Sequence, residues 1–244
     1  GGSLSDLRVL DLTRVWAGPL ATRIFGDFGA QIIKISDPRT PVANTNGVNN
    51  KLNRNKLSLG LRLDKDSGTG IFRNLVAISD VVIENFLPGK LTKFGLDYAS
   101  LSQGNSGLVY CSISGFGQDG PRRDEPGYDF VVQAMSGFMA LTGEPDGAPM
   151  KHAMSISDLF CGLYSTIAIQ AALAMRTRTG TGQHIDMALY DCSVALLAHQ
   201  AQSYFTTGHN PPRMGNMHAQ VSAYGVFPTR DGPVVLAPAN DRLF

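Results

Sequence analysis

The stretch MSISDLFCG (154–162) sets a carboxylate, Asp158, at the mouth of a long apolar run, LFCGLYSTIAIQAALAM. An aspartate there has two readings. It can cap the helix or complement its dipole, or it can act as a nucleophile that carries a covalent intermediate. On spacing alone the cap is the commoner outcome. Tyr128 and Asp129 open a second helix in PGYDF, where a first-turn carboxylate also suits the dipole. Asp186 and Asp191 flank a short strand and read as turn or cap residues. His152, His184, His199, His209 and His218 lack metal-ligand spacing, and neither GxSxG nor HExxH occurs, so no metal site is expected. Cys111, Cys161 and Cys192 lie in apolar runs without CxxC spacing and read as reduced core residues.

A further candidate lies near the start of the chain. The loop RVWAGP joins a first strand to a first helix, and Asp37 falls near the end of the second strand, where a ribose-binding acid would stand. The glycine fingerprint GxGxxG is missing, so the backbone has no ready approach to a pyrophosphate and a nicotinamide enzyme is not expected. The loop still delivers a helix N-terminus, which favours an anionic or polar ligand.

These residues need a scaffold. LRVLDLT (7–13) reads as a strand, LATRIFGDFG (20–29) as a helix and AQIIKIS (30–36) as a second strand, a unit that implies a parallel pair. Residues 38–55 read as an irregular loop, and LSLGLRL as a short strand. A helix over GTGIFRNLVAIS, the strand DVVIEN (80–85) and the strand-to-loop segment GLVYCSISGFG (107–117) follow. Beyond them come the helix YDFVVQAMSGFMALTG, the long helix after Asp158 with its RTRTGTG stop, the strand GQHIDMAL and the helix DCSVALLAHQAQSYFTTG. The alternation predicts an α/β fold: an open, Rossmann-like, mostly parallel sheet with flanking helices. From 209 the texture changes to the linker HNPPRMGNMHAQVS, then to a hairpin, YGVFPTRDGPVVLA, whose turn is expected at Asp231-Gly232. The expected division is a large domain over 4–208, followed over 209–244 by the linker and the start of a smaller domain.

Composition limits the partners. The 244 residues carry 21 basic and 20 acidic side chains, a formal net charge of +1, which points to neither nucleic acid nor a membrane surface. With 43% hydrophobic and 17% charged residues the chain has the make-up of a globular protein. The apolar run after Asp158 is interrupted by Gly162, Ser165 and Thr166 and reads as short for a membrane span. No signal peptide is read ahead of the first strand, and the opening GGS is set aside.

Taken together, LRVLDLTRVWAGP, FGAQIIKI, NRNKLSL, DVVIENFLPGKL, YCSISGFGQDGP, PGYDFVVQAMSG, ISDLFCGLY and RTRTGTGQHIDMALYD resemble the signature stretches of family III CoA-transferases. That group includes formyl-CoA transferase, succinyl-CoA:dicarboxylate CoA-transferases and the CaiB/BaiF proteins. The resemblance implies that Asp158 is the nucleophile of an enzyme moving CoA from an acyl-CoA donor to a carboxylic acid acceptor. An aspartyl–acyl anhydride and an aspartyl–CoA thioester are the implied intermediates. It also implies coenzyme A contacts at Val15, Trp16, Ala17, Leu61, Asn85, Phe86, Lys93, Gly127, Tyr128 and Asp129. Lys93 would meet the phosphates, and Trp16 would stack on the nucleotide, line the acyl pocket or simply pack the loop. The family often has a basic residue just after the second strand, whereas this chain has Asp37 there, with Arg39 two residues on.

A related scaffold serves α-methylacyl-CoA racemase, which uses a histidine in a GHD motif. Here the motif is Gly127-Tyr128-Asp129, and tyrosine, with a pKa near 10, is a poor base at neutral pH, so transfer is favoured over racemisation. The resemblance further implies a homodimer of interlocked chains, a cytoplasmic enzyme (mitochondrial if a transit segment has been removed) and a longer parent chain. The family's glycine-rich loop over the active site has no match before residue 244. An inactive CoA-binding fragment therefore stands as the reading from a different class.

Overall fold

A computed structural model describes residues 1–40 and 51–243. The first strand, β1 (Arg8–Asp11), leads through a loop into α1 (Ala17–Asp27), which returns the chain to β2 (Gln31–Ser36). β3 (Lys56–Gly60), α2 (Asp66–Ala77) and β4 (Val81–Glu84) follow. A 3₁₀ turn at Thr92–Phe94 and the one-turn helix α3 (Tyr98–Leu101) precede β5 (Val109–Ser114). The six strands, with β6 (His184–Ala188) last, run in the order β3-β2-β1-β4-β5-β6, and every neighbouring pair is parallel. The expected open, parallel α/β sheet is therefore what forms. The order of the strands reverses direction between β1 and β4, and in such sheets the crevice beyond the carboxyl ends of those two strands is where ligands bind.

Alternation along the strands feeds two cores. Val9, Val81, Ile83, Val109, Cys111 and Ile113 face one way, toward Phe25 of α1 and toward Cys161 and Ile169 of the long helix that follows Asp158. Leu10, Val82 and Tyr110 face the other way, onto Phe72 and Val76 of α2 and onto Leu96 and Leu101. Such residues, buried on both faces, are why the central strands read as continuous apolar runs.

Of three long apolar segments, two depart from the simple helices expected of them. YDFVVQAMSGFMALTG breaks into α4 (Asp129–Met135) and α5 (Phe138–Leu141), because Gly137 takes φ +88° between them. The long helix itself is continuous: α6 (Ile156–Thr179) runs 24 residues and stops at Gly180, φ +73°, with Arg176 and Arg178 in its last turn. Its length and mean hydropathy of 1.4 do meet the measure for a membrane span, against the expectation from sequence. Yet Asp158, Cys161, Ser165, Ile169 and Ala172 form a buried stripe along it, as in a core helix. After β6, the last helical segment divides into α7 (Leu189–Ala195) and α8 (Ala198–Thr207), since Ala198 takes φ +46°.

The hairpin forms from β7 (Gly225–Thr229) and β8 (Gly232–Leu236) as a separate antiparallel pair. Thr229 pairs with Gly232, so the two turn residues are Arg230 and Asp231 rather than Asp231 and Gly232. Of the loop expected over 38–55, residues 41–50 lie outside the described residues.

Candidate active site

Two backbone segments close the crevice at the strand-order reversal. After β1, Thr13 turns the chain so that Arg14, Val15 and Trp16 run across the strand ends before α1 begins at Ala17. After β4, Asn85 and Phe86 run beside them. The two segments are clamped: Asn85 Oδ1 accepts the Arg14 N–H at 2.9 Å and Asn85 Nδ2 donates to the Arg14 carbonyl at 2.8 Å. Val15 holds φ +69°, a left-handed conformation that a β-branched residue seldom adopts.

The cavity enclosed here measures about 310 Å³. Its walls come from Arg14–Ala17, Asn85–Leu87, Lys90, Ile113–Gly115, Pro126–Tyr128, Leu189 and Asp158. Gly115 and Gly127 cross in direct backbone contact: a Cβ on Gly115 would stand 2.5 Å from the Cα of Gly127. Only glycine at both positions lets the Pro126–Tyr128 segment lie against the end of β5.

Asp158 reaches the cavity from the first turn of α6 and is 9% exposed. It is not a cap. None of the described residues donates a hydrogen bond to its carboxylate, and the amides at its own helix terminus are engaged elsewhere. Asp129 Oδ1 accepts the Ser157 N–H at 2.8 Å and, more weakly, the Asp158 N–H at 3.4 Å. Those amides therefore lend the Asp158 carboxylate no hydrogen bond. Burial first, and then the charge of Asp129, push the Asp158 carboxyl up to about 7. Asp129 is itself fixed by Gln133, whose Nε2 donates to its Oδ2 at 2.7 Å while its Oε1 accepts the His152 N–H at 2.9 Å.

The mouth of the cavity is cationic. Two charges stand over the Phe86 ring, the Arg14 guanidinium 5.5 Å and the Lys90 ammonium 5.3 Å from its centroid. Beneath it, Glu84 accepts the Phe86 N–H at 2.7 Å, and burial pushes the Glu84 carboxyl up to about 7. Arg14, Phe86 and Lys90 also border a second cavity of about 210 Å³, walled by Leu61, Ile35, Phe94, Asp37 and Arg39. The two cavities thus meet around Phe86, leaving room for an elongated ligand with one end at Asp158. Arg39 is held there by Asp37, 2.9 Å from Nε and 2.5 Å from Nη2.

Of the residues expected from sequence, Val15, Trp16, Ala17, Asn85, Phe86, Gly127, Tyr128 and Asp158 come together on the first cavity, and Leu61 lines the second. Asp129 stands behind the wall as the cap of α6. Lys93 borders neither cavity; it lies on the 3₁₀ turn in a third, more open hollow of about 450 Å³ with Lys65 and Arg73, which shares Leu63, Asp64 and Phe94 with the second cavity. Lys90, one turn earlier in the same GKLTK stretch, occupies the shared wall instead. Arg14 and Lys90 went unread because their role depends on two loops folding toward each other, and Ser114 because it depends on where β5 ends. Asp186 takes the bland part expected of it, accepting the Gln118 N–H at 2.8 Å. His184 is bonded to Ser112 at 2.9 Å. Among the described residues no group of three or more His, Cys, Asp or Glu side chains could hold a metal.

The model of CoA-transferase family III matches residues 4–244. The succinate–glutarate CoA-transferase of Agrobacterium fabrum is 47% identical over 99% of this chain, which spans 64% of that relative. The mouse succinyl-CoA:glutarate CoA-transferase is 39% identical over 99% of this chain and is spanned to 58% of its length. The chain therefore covers less than two thirds of these relatives. The crystal structure of a CaiB/BaiF family protein from Brucella suis superposes with a TM-score of 0.90 at 44% identity, covering 99% of this chain and 67% of the other.

Proposed function

The chain belongs to CoA-transferase family III, and from that premise we propose that it moves CoA from an acyl-CoA donor to a carboxylic acid acceptor through Asp158. One observation carries the reading: a buried carboxylate, free of donors among the described residues, lines the cavity where the strand order reverses. A carboxylate held this way is poorly solvated and therefore a better nucleophile than one in water.

In the first step Asp158 attacks the thioester carbonyl and the CoA thiolate leaves, forming a mixed anhydride. The thiolate then attacks the aspartyl carbonyl carbon, releasing the donor acid and leaving an aspartyl–CoA thioester. The acceptor carboxylate attacks that thioester, and the expelled thiolate finally attacks the acceptor's acyl carbon, regenerating Asp158. Charges and atoms balance at each exchange, and no net proton is needed. The cations at Arg14 and Lys90 suit the phosphates of CoA. Relatives named for succinate and glutarate support a dicarboxylate pair, with succinyl-CoA as donor. The family resemblance supports a homodimer of the whole protein. Tyr128 in place of a histidine disfavours α-proton abstraction, so racemisation is not proposed.

Intact-protein mass spectrometry with succinyl-CoA and hydroxylamine tests the reading. The expected result is an adduct mapping to Asp158 that the Asp158→Ala variant lacks. Turnover by the folded Asp158→Ala variant would overturn it.

A further inference from the structure

The stretch NRNK (53–56) has no contact with either cavity, yet it grips α1 at both ends. At the C-terminal end, Arg54 Nη2 reaches Asp27 Oδ2 at 2.5 Å and Asn55 Nδ2 reaches Asp27 Oδ1 at 3.0 Å. Asn55 takes φ +63° to make this turn. At the N-terminal end, the Lys56 ammonium, its side chain 1% exposed, lies 2.9 Å from Asp11 Oδ2 and 3.0 Å from the Pro19 carbonyl.

Asp11 is the centre of this arrangement. Fully buried at the end of β1, it takes the Thr13 N–H at 2.8 Å, the Thr13 hydroxyl at 2.6 Å, the Thr22 hydroxyl at 2.7 Å and Lys34 Nζ at 3.2 Å, besides Lys56. Burial alone would raise its carboxyl, but the two ammonium groups and the two hydroxyls hold it below the usual carboxylate value. Lys34 Nζ also donates to the Thr13 carbonyl. The two lysines thus bracket one segment: Lys34 holds the carbonyl just before Arg14–Gly18, and Lys56 holds the carbonyl just after it. Across the bracket the chain is closed tightly, since a Cβ on Gly18 would stand 2.3 Å from the Thr13 side chain.

What lies inside the bracket is the strained lip of the cavity, Arg14–Ala17, with Val15 in the left-handed region. Strain of this kind persists only where the surroundings over-determine it. The same helix start bears on Asp158, because a Cβ on Gly162, one turn along α6, would meet the Ala17 carbonyl at 2.7 Å. We propose that Lys56, acting with Asp11 and Lys34, is a positioning residue that holds the Arg14–Ala17 lip in its ligand-ready shape. As a statement about CoA binding it rests on the transfer reading above; as a statement about the lip it does not.

The double variant Asp11→Asn with Lys56→Met removes the more deeply buried opposite pair at similar volume, leaving only Lys34, the more exposed of the two lysines, which keeps the Thr13 carbonyl. Two measurements are made on it. The first is hydrogen exchange at the Arg14 and Leu20 amides, which donate to Asn85 and to the Trp16 carbonyl and touch neither substituted side chain. These are expected to exchange at least about tenfold faster, with the amides of β4 unchanged. The second is CoA affinity by calorimetry, expected to weaken by about tenfold. Unchanged exchange at Arg14 and Leu20 in the folded variant overturns the proposal. If the unsubstituted protein fails to bind CoA, it is the transfer reading that falls, and exchange still decides the lip. If the double variant does not fold, Thr22→Val removes a single donor to Asp11, and about fivefold faster exchange at the same two amides is expected. No change there would overturn the proposal equally.

Discussion

Asp129 caps the helix that carries Asp158, although the two carboxylates belong to different helices. The cap fixes where α6 starts, and therefore where Asp158 enters the cavity. It also puts a negative charge beside a carboxylate that burial has already made hard to ionise. One residue thus sets the aim and adds to a basicity that burial mainly sets. Replacing Asp129 with Asn keeps an oxygen for the Ser157 amide and removes the charge. Because burial is the larger cause and Asp129 the smaller, the acid limb of the kcat/KM profile is expected to move to lower pH by the smaller part of the shift. It should stay well above the ordinary carboxylate range. Asp129→Ala also loses the cap and should cost about 1 kcal/mol of stability. Paired pH–rate profiles and denaturant melts check both expectations.

Asp158 should weaken the fold it serves. Its carboxyl titrates near 3.8 in an unfolded chain and is pushed up to about 7 in the folded one. Well below pH 4 the group is neutral in both states and contributes nothing. As pH rises toward 7 the unfolded chain ionises first, so stability is progressively lost, and the loss is complete above about 7. Asp158→Asn should therefore be stabilised at pH 8, by roughly 2 kcal/mol once water in the cavity is allowed for, with most of that gain gone at pH 4. Urea unfolding at the two pH values, alongside an activity assay showing no transfer, tests this.

The α/β class was legible because buried parallel strands write themselves as runs such as RVLD, QIIKIS and VVIE. Strand order was not, since nothing local in DVVIEN says that it pairs with β1 rather than with β3. The same limit applied to the site. Residues on one loop, such as Val15 and Trp16, could be carried over from a motif. The role of Asp129 could not be read, because a first-turn carboxylate that serves its own helix looks identical in sequence to one that serves another. Lys34 and Lys56 drew no role from the sequence for a related reason. Their common partner, Asp11, is 23 and 45 positions away, and only the sheet register brings the three together.

The crossing of Gly115 and Gly127 makes a sharper test of the scaffold. An alanine at Gly127 would put its Cβ 2.6 Å from the Cα of Gly115, and backbone cannot yield as a side-chain tip can. Gly127→Ala is expected to cost about 1–3 kcal/mol and to move Tyr128 and Asp129 away from α6. Transfer should fall more steeply than stability, because the cap on the Asp158 helix moves with them. Thermal melts and turnover measured on the same preparation would separate the two effects. A variant with normal stability and normal turnover would show that the two segments are not in contact.

Lys90 and Lys93 offer the most direct trial of how the ligand lies. Both are exposed lysines in GKLTK, three residues apart, yet only Lys90 borders both cavities and stands over Phe86. An exposed ammonium meeting a phosphate contributes about 1.5 kcal/mol, close to tenfold in affinity. Lys90→Ala should therefore weaken CoA binding by about tenfold, with a shallower salt dependence than the parent because one screened contact is gone. Lys93→Ala, in the more open hollow that Lys65 and Arg73 also line, should change affinity by less than about twofold. Calorimetric titration of both variants at low and high salt decides between them. The opposite ranking would move the phosphates off the wall shared by the two cavities and onto the 3₁₀ turn.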